Sequence, residues 1–220
     1  MSPRETWCDP GHWAVFAFAT TSFMLGFVNS GFIGGSAVYL VLPVALIFGG
    51  LVQLLVAILE VMRDNTFGAC VFGTYGPFWI IYGLFVQFYA GSIAKVNANS
   101  AVALFLAMFA VLTFFFVVAS LRTDWVLVAV FVLIDVALIL LAWGNDAGLP
   151  ELVKVGGYVT IAFAVLAWYH AFAGLVNATF GRKSFPVGFI GPFAPREVEP
   201  TVDTGTTAPG RGASPVARHA

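Results

Sequence analysis

The chain has 220 residues, of which 60% are hydrophobic and only 10% charged, with a formal net charge of −1. Soluble domains carry about 25% charged residues, so this composition lacks the polar surface of a dissolved domain and describes a membrane protein. The charge balance also argues against a nucleic-acid partner, because nothing here neutralises a phosphate backbone.

A helix needs about 20 mostly apolar residues to cross hydrocarbon, and six stretches qualify, near 13–33, 37–62, 67–91, 100–121, 125–143 and 156–180. The first carries Thr20-Thr21-Ser22 and Asn29 and stops at Gly34-Gly35. The second contains Pro43, which kinks it or sits in its first turn, then Gln53, and closes on Glu60. Arg63-Asp64-Asn65 separates it from the third, which opens Asn65-Thr66-Phe67-Gly68 and puts Thr74 and Tyr75 at mid-span. A helix facing only lipid would carry Leu or Val there. Lys95, Asn97 and Asn99 mark the next break, and the fourth span holds Thr113. Arg122-Thr123-Asp124 precedes the fifth, with Asp135 near its middle. After the polar stretch from Gly144 to Lys154 the sixth carries Thr160, Tyr169, His170 and Asn177. From Pro192 the composition turns to Pro, Gly, Thr and Arg, which cannot bury apolar surface and predicts disorder. The expectation is an all-α integral membrane protein: a cytoplasmic segment 1–12, a six-helix transmembrane domain 13–187 in one bundle, and a disordered cytoplasmic tail 188–220.

An even number of spans puts both termini on one side. Arg4, Arg63, Arg122, Arg182 and Lys183 lie near span ends on that side, against Lys95 and Lys154 on the other. The positive-inside rule then makes the termini cytoplasmic, in the inner (plasma) membrane. Cys8 and Cys70 have no metal-ligand spacing and both fall near the reducing side, which argues against a disulfide. No cleavable signal peptide is visible. Gly31 with Gly35, and Ala167 with Ala171, have the small-xxx-small spacing that lets membrane helices approach closely.

Any single Ser or Thr in a span reads first as a bond back to its own helix. Clusters at comparable depth on the first, third and sixth helices point instead to a shared interior path through Thr20, Thr21, Thr74, Tyr75, Tyr169 and His170. Asp135 is the costliest residue, since a charge at mid-span costs about 3 kcal/mol on insertion scales. It is a functional acid, or a neutral carboxyl holding two helices together. His170 is a proton carrier, or a neutral ring bonded across helices. Glu60 can reach interfacial water and reads as a mouth or structural residue. With no interior Lys or Arg a multivalent anion would be poorly stabilised, and a cation path would show several acids. A short carboxylic acid fits, met by hydroxyl and amide donors and by a helix N-terminus such as one capped by Asn65-Thr66. Crossing with a proton avoids a bare anion in an apolar constriction.

Four stretches carry a family resemblance. They are Asp9-Pro10 through Asn29-x-Gly31; Gly49-Gly50 with Gln53 and Glu60; Asn65-Thr66-Phe67-Gly68 with Tyr75-Gly76 and Phe78-Trp79; and Trp168-Tyr169 with Ala173-Gly174, Asn177, Gly181-Arg182 and Pro186. Over Asp9 to Val187 the chain resembles the acetate uptake transporters, the GPR1/FUN34/YaaH group that includes succinate–acetate permeases. The resemblance implies a homohexamer of six-helix protomers, each with its own path, and uptake of acetate and sometimes succinate, proton-linked or through a channel-like mechanism. It implies a constriction at Phe18, Tyr75 and Ile134, with Tyr75 offering its hydroxyl to a passing carboxyl. It implies mouth groups at Asn29, Gln53, Glu60, Asn65 and Thr66. Two departures stand out. Members often open with Asn-Pro, a second Pro and a Leu-Gly pair, where this chain has Asp9-Pro10-Gly11-His12-Trp13, a bulkier and titratable entrance. Asp135, beside Ile134, stands where relatives carry a neutral residue. Ionised, it would repel carboxylates, so it is protonated in use or faces another helix.

The expected function is therefore transport of small monocarboxylates, acetate and succinate among them, coupled to protons, with the lipid bilayer as surroundings and no cofactor or metal. The alternative is a passive channel for acetate, acetic acid or small neutral solutes such as urea or ammonia. A sensor or scaffold would need a docking motif in the short tail. An enzyme would need a metal cluster, a nucleophile with its base, or a phosphate loop, and the sequence offers none of these.

Overall fold

The computed structural model describes residues 8–181 and 184–190. Most of the expected N-terminal segment and tail, with Arg4, Arg182 and Lys183, lies outside the described residues. Six helices are long and apolar enough to cross a membrane: α1 Gly11–Asn29, α2 Gly35–Met62, α3 Thr66–Ser92, α4 Lys95–Ser120, α5 Trp125–Asp146 and α6 Pro150–Phe180.

The ends differ from expectation where apolarity and helix geometry part company. α1 stops short of residue 33 because the chain turns at Gly31, whose φ of 80° suits glycine alone. α4 and α6 start earlier than their apolar runs. Pro150 occupies the first turn of α6, where no N–H is needed and φ is already set. Glu151 follows with the charge a helix N-terminus favours.

α2 is not uniform. Pro43 lies inside it, and the helix widens to a π-type turn over Ala45–Val52. The widened stretch contains Gly50, where α2 and α3 cross. A methyl on Gly50 would stand 2.5 Å from Ile80 Cγ1, and one on Gly76 would stand 3.0 Å from the Gly50 carbonyl oxygen. Side chains there would force the two helices apart. Gly31 and Gly35, expected as a packing pair, instead lie exposed around the α1–α2 connection. The other pair, Ala167 and Ala171, is buried as expected.

α1 packs on α6 and α2, α3 on α2, and α5 on α6 and α4. Side chains close the ring between α3 and α4. The Phe78 ring lies 5.1 Å from Phe105 and 4.9 Å from Phe109, and the Tyr75 hydroxyl is 2.7 Å from Thr113 Oγ1. The outward faces are apolar: Leu40, Ile47, Leu55 and Ile58 of α2 and Leu104, Met108 and Phe115 of α4 are exposed. So large an apolar surface is unfavourable in water and suits hydrocarbon.

After α6 the chain folds back across the end of the bundle where α1 begins, here the terminal face. Trp125 donates its N–H to the Gly188 carbonyl at 3.0 Å, and Ile190 to Thr123 at 2.7 Å. Tyr169 donates to the Pro186 carbonyl at 2.7 Å, and the Asn177 side chain accepts from the N–H groups of Ser184 and Phe185.

Candidate functional site: two cavities and an aromatic neck

Two cavities lie within the ring. One, of about 140 Å³, opens toward the terminal face and is lined by Asp9, His12, Gln53, Glu60, Asn65 and His170 at its polar end. Phe18, Tyr75 and Ile134 line its apolar end. The other, of about 170 Å³, lies on the distal side, with Ser22, Asn29, Trp79, Thr160 and Phe163 in its wall. Tyr75 and Ile134 line both. The Phe18 ring stands 5.2 Å from Tyr75 and 5.7 Å from Phe163, and all four residues are buried. The expected trio Phe18, Tyr75 and Ile134 therefore comes together from three helices. Phe163 of α6 joins it without any signal in the sequence beyond being one of 23 phenylalanines.

The Tyr75 hydroxyl is already engaged. Thr113 donates to the Phe109 carbonyl at 2.8 Å, so Thr113 Oγ1 receives the Tyr75 proton. The expectation that this O–H meets a passing carboxyl has the bond to α4 as a competitor.

A charged cluster forms the terminal mouth. Glu60, expected to reach interfacial water, is fully buried. Its Oε2 accepts from Asn65 Nδ2 at 2.8 Å and from Arg63 at 3.4 Å, while Oε1 has no hydrogen-bond partner among the described residues. Asn65 also caps α3 by accepting the Gly68 N–H at 3.2 Å. Arg63 reaches across to Asp9 at 2.9 Å. Burial works against the Asp9 charge, but the Gly11 N–H, His12 and Arg63 outweigh it and hold the carboxyl below its usual value. Gln53, fully buried, donates to the Gly49 carbonyl and leaves Oε1 without a partner. His170 sits at this mouth beside Asp124, a residue the sequence marked only as part of a break.

Other expected path residues lie elsewhere. Thr21 donates back to Ala17 at 2.9 Å. Thr20 accepts the Trp168 indole N–H at 3.1 Å, tying α1 to α6. Thr66 is exposed, and neither it nor Thr74 lines a cavity. Tyr169 secures the segment after α6. Asp135 faces a groove between α4 and α5 with Ala110, Phe114 and Trp143, outside both central cavities. Among the described residues no three His, Cys, Asp or Glu side chains gather to hold a metal ion.

Comparison with known proteins bears on this arrangement. The model of the GPR1/FUN34/yaaH family matches residues 1–187. The succinate-acetate/proton symporter SatP of Escherichia coli is 28% identical over 181 residues, covering 82% of this chain and 95% of that protein. Ammonia transport outward protein 2 of Saccharomyces cerevisiae is also 28% identical over 181 residues, covering 80% of this chain and 64% of the yeast protein, so the chain spans less than two thirds of that relative. The solved structure of the bacterial acetate channel SatP superposes with a TM-score of 0.77 at 26% identity, covering 83% of this chain and all of that one.

Proposed function

The chain belongs to the GPR1/FUN34/yaaH family, and we propose that this multi-pass membrane protein carries short carboxylates, acetate foremost, across the bilayer together with a proton. One observation carries the reading: the sorting of unpaired buried polar atoms between the two cavities. On the distal side these atoms can donate, being the Ser22 hydroxyl and the Trp79 indole N–H. On the terminal side, outside His170, they are the acceptor oxygens Gln53 Oε1 and Glu60 Oε1. Donors suit a carboxylate, and acceptors suit the O–H of a carboxylic acid. Among the described residues neither cavity has Lys or Arg in its wall, so none of them is a fixed cation at the neck, and neutralisation by a proton lowers the desolvation cost there. Phe18, Tyr75, Ile134 and Phe163 form the constriction. Glu60, Asn65 and Gln53 form the terminal mouth, and Asn29 the distal one. The excess of basic residues that the sequence puts on the terminal side supports a cytoplasmic orientation for that face in a plasma membrane, and the apolar outer faces suit a homohexamer with one path per protomer. Succinate is a further substrate on the strength of the name its bacterial relative carries.

Proteoliposomes containing the protein take up labelled acetate faster than empty liposomes, and an inward proton gradient increases the rate. Equal uptake with and without protein would sink the reading. The wholly uncharged neck supports a second one, passive passage of acetic acid or of a small neutral solute such as urea or ammonia. In that case rates do not saturate and ignore the gradient. Asp135→Asn leaves the pH profile of uptake unchanged, because its groove lies off the path. A displaced profile would bring Asp135 into proton handling.

A further inference from the structure

α6 presents a polar pair that transport through the neck does not by itself require. His170 Nε2 lies 3.0 Å from Asp124 Oδ2. The other Asp124 oxygen accepts the Leu127 N–H at 2.8 Å and caps α5. Asp124 is only 3% exposed, so both of its oxygens are fixed. A carboxylate held this way accepts from the ring and selects the tautomer protonated at Nε2. That leaves a lone pair on Nδ1, which is buried and has no hydrogen-bond partner among the described residues. A histidine buried for packing alone would have both nitrogens satisfied. His170 lines the terminal cavity leading from the neck, and also a wider vestibule that it shares with Asp9, His12, Asp124 and Asn177.

A second imidazole stands next to it. The His12 and His170 ring centroids are 6.3 Å apart. The approach depends on Gly174, one turn beyond His170, because a methyl there would overlap the His12 ring. Among the described residues, the charged and titratable groups around the pair are Asp9 and His12 from the start of α1, Glu60 and Arg63 from the end of α2, and Asp124 from the start of α5. Tyr169, the neighbour in sequence, is turned to Pro186.

We infer that the Asp124–His170 pair accepts the proton of the carboxylic acid once it has passed the neck, with His170 Nδ1 as the receiving atom. The inference rests on the reading of the protein as a carboxylate transporter. The acid O–H bond breaks and its electron pair stays on the carboxyl oxygen, while an Nδ1–H bond forms. His170 becomes an imidazolium whose Nε2–H stays on Asp124, so the new charge is matched where it arises. The carboxylate leaves past Arg63. The proton passes from Nδ1 to vestibule water, directly or through His12, and the neutral tautomer is restored.

The test uses the full chain in proteoliposomes, with labelled acetate as probe and His170→Gln and Asp124→Asn as variants. His170→Gln lowers acetate uptake and loses its stimulation by the proton gradient, while exchange of acetate at equal pH falls by a smaller factor. Asp124→Asn keeps the α5 cap, keeps stimulation, and changes the pH profile of uptake, because the carboxylate that holds the ring's Nε2–H is gone. In ¹⁵N spectra of labelled histidine, one ring carries its proton on Nε2, and Asp124→Asn weakens that preference. Gradient stimulation and a pH profile unchanged in His170→Gln would overturn the inference and leave carboxylate transport standing. Loss of equal-pH exchange in a folded His170→Gln would overturn it too, making His170 a substrate contact. If His170→Gln does not fold, an unmoved profile in Asp124→Asn overturns it. Absence of acetate uptake by the wild-type protein removes both readings together.

Discussion

Ile134→Trp reduces acetate uptake by about 100-fold or more, which corresponds to a barrier about 3 kcal/mol higher. Ile134 is buried where the two cavities meet, with the Phe18–Tyr75 and Phe18–Phe163 rings already within 6 Å of one another. An indole there has no room except the passage itself. The fold should survive, since overpacking costs about 1–3 kcal/mol and the cavities on both sides give the ring space to lean. Ile134→Ala has the opposite sign for substrate size. It removes the branched wall of the neck and lets propionate and lactate compete with labelled acetate, since one methylene is worth about 1–3 kcal/mol in such a constriction. It also costs about 2–5 kcal/mol of stability as a large-to-small change. Wild-type uptake in a correctly folded Ile134→Trp protein would move the path away from the axis.

That Ile134 faces that axis was legible only through the family resemblance, and the helix's own pattern did not say where Asp135 points. α5 is apolar on every side, so its sequence has no polar stripe to give its rotation. Adjacent residues on a helix point about 100° apart, enough to send Asp135 into the outer groove while Ile134 fills the neck. The same uncertainty covers Thr20, Thr21 and Thr74, whose hydroxyls gave no hint of which face they occupy. What was legible rested on local chemistry. Six apolar runs gave six helices, and Asn65 ahead of Gly68 gave a cap. Glu60, Asn65 and Gln53 lie close enough along one hairpin to meet at one mouth. Pairings between distant segments left fainter traces. Asp124 stood only in a polar break, and Gly174 only in a stretch shared with the family. Nothing local said that His12 would lie against Gly174.

Arg63→Leu lowers the melting temperature more than any other single change at the terminal mouth. Glu60 is fully buried and Arg63 is its nearest cation, at 3.4 Å, while the same guanidinium holds Asp9 at 2.9 Å. Removing one partner from a buried ion pair costs about 3–5 kcal/mol, because the remaining charge keeps its desolvation and loses its compensation. Arg63 is 22% exposed, so water reaches part of the site and the low end of that range applies. Glu60→Gln in the Arg63→Leu background restores most of the loss, since the amide needs no counter-ion and can still take the Asn65 hydrogen bond. Asp9 gives the pH signature. Its folded value lies below the usual 3.8, so its share of stability is present in full above that value. That share is lost as pH falls through the lower folded value. Melting curves of the wild type and Asp9→Asn therefore differ at neutral pH and converge in acid. A gap that stays constant from neutral pH to below the carboxylate range would mean that Asp9 holds the mouth by shape alone, and the charge network from Asp9 through Arg63 to Glu60 would lose its first link.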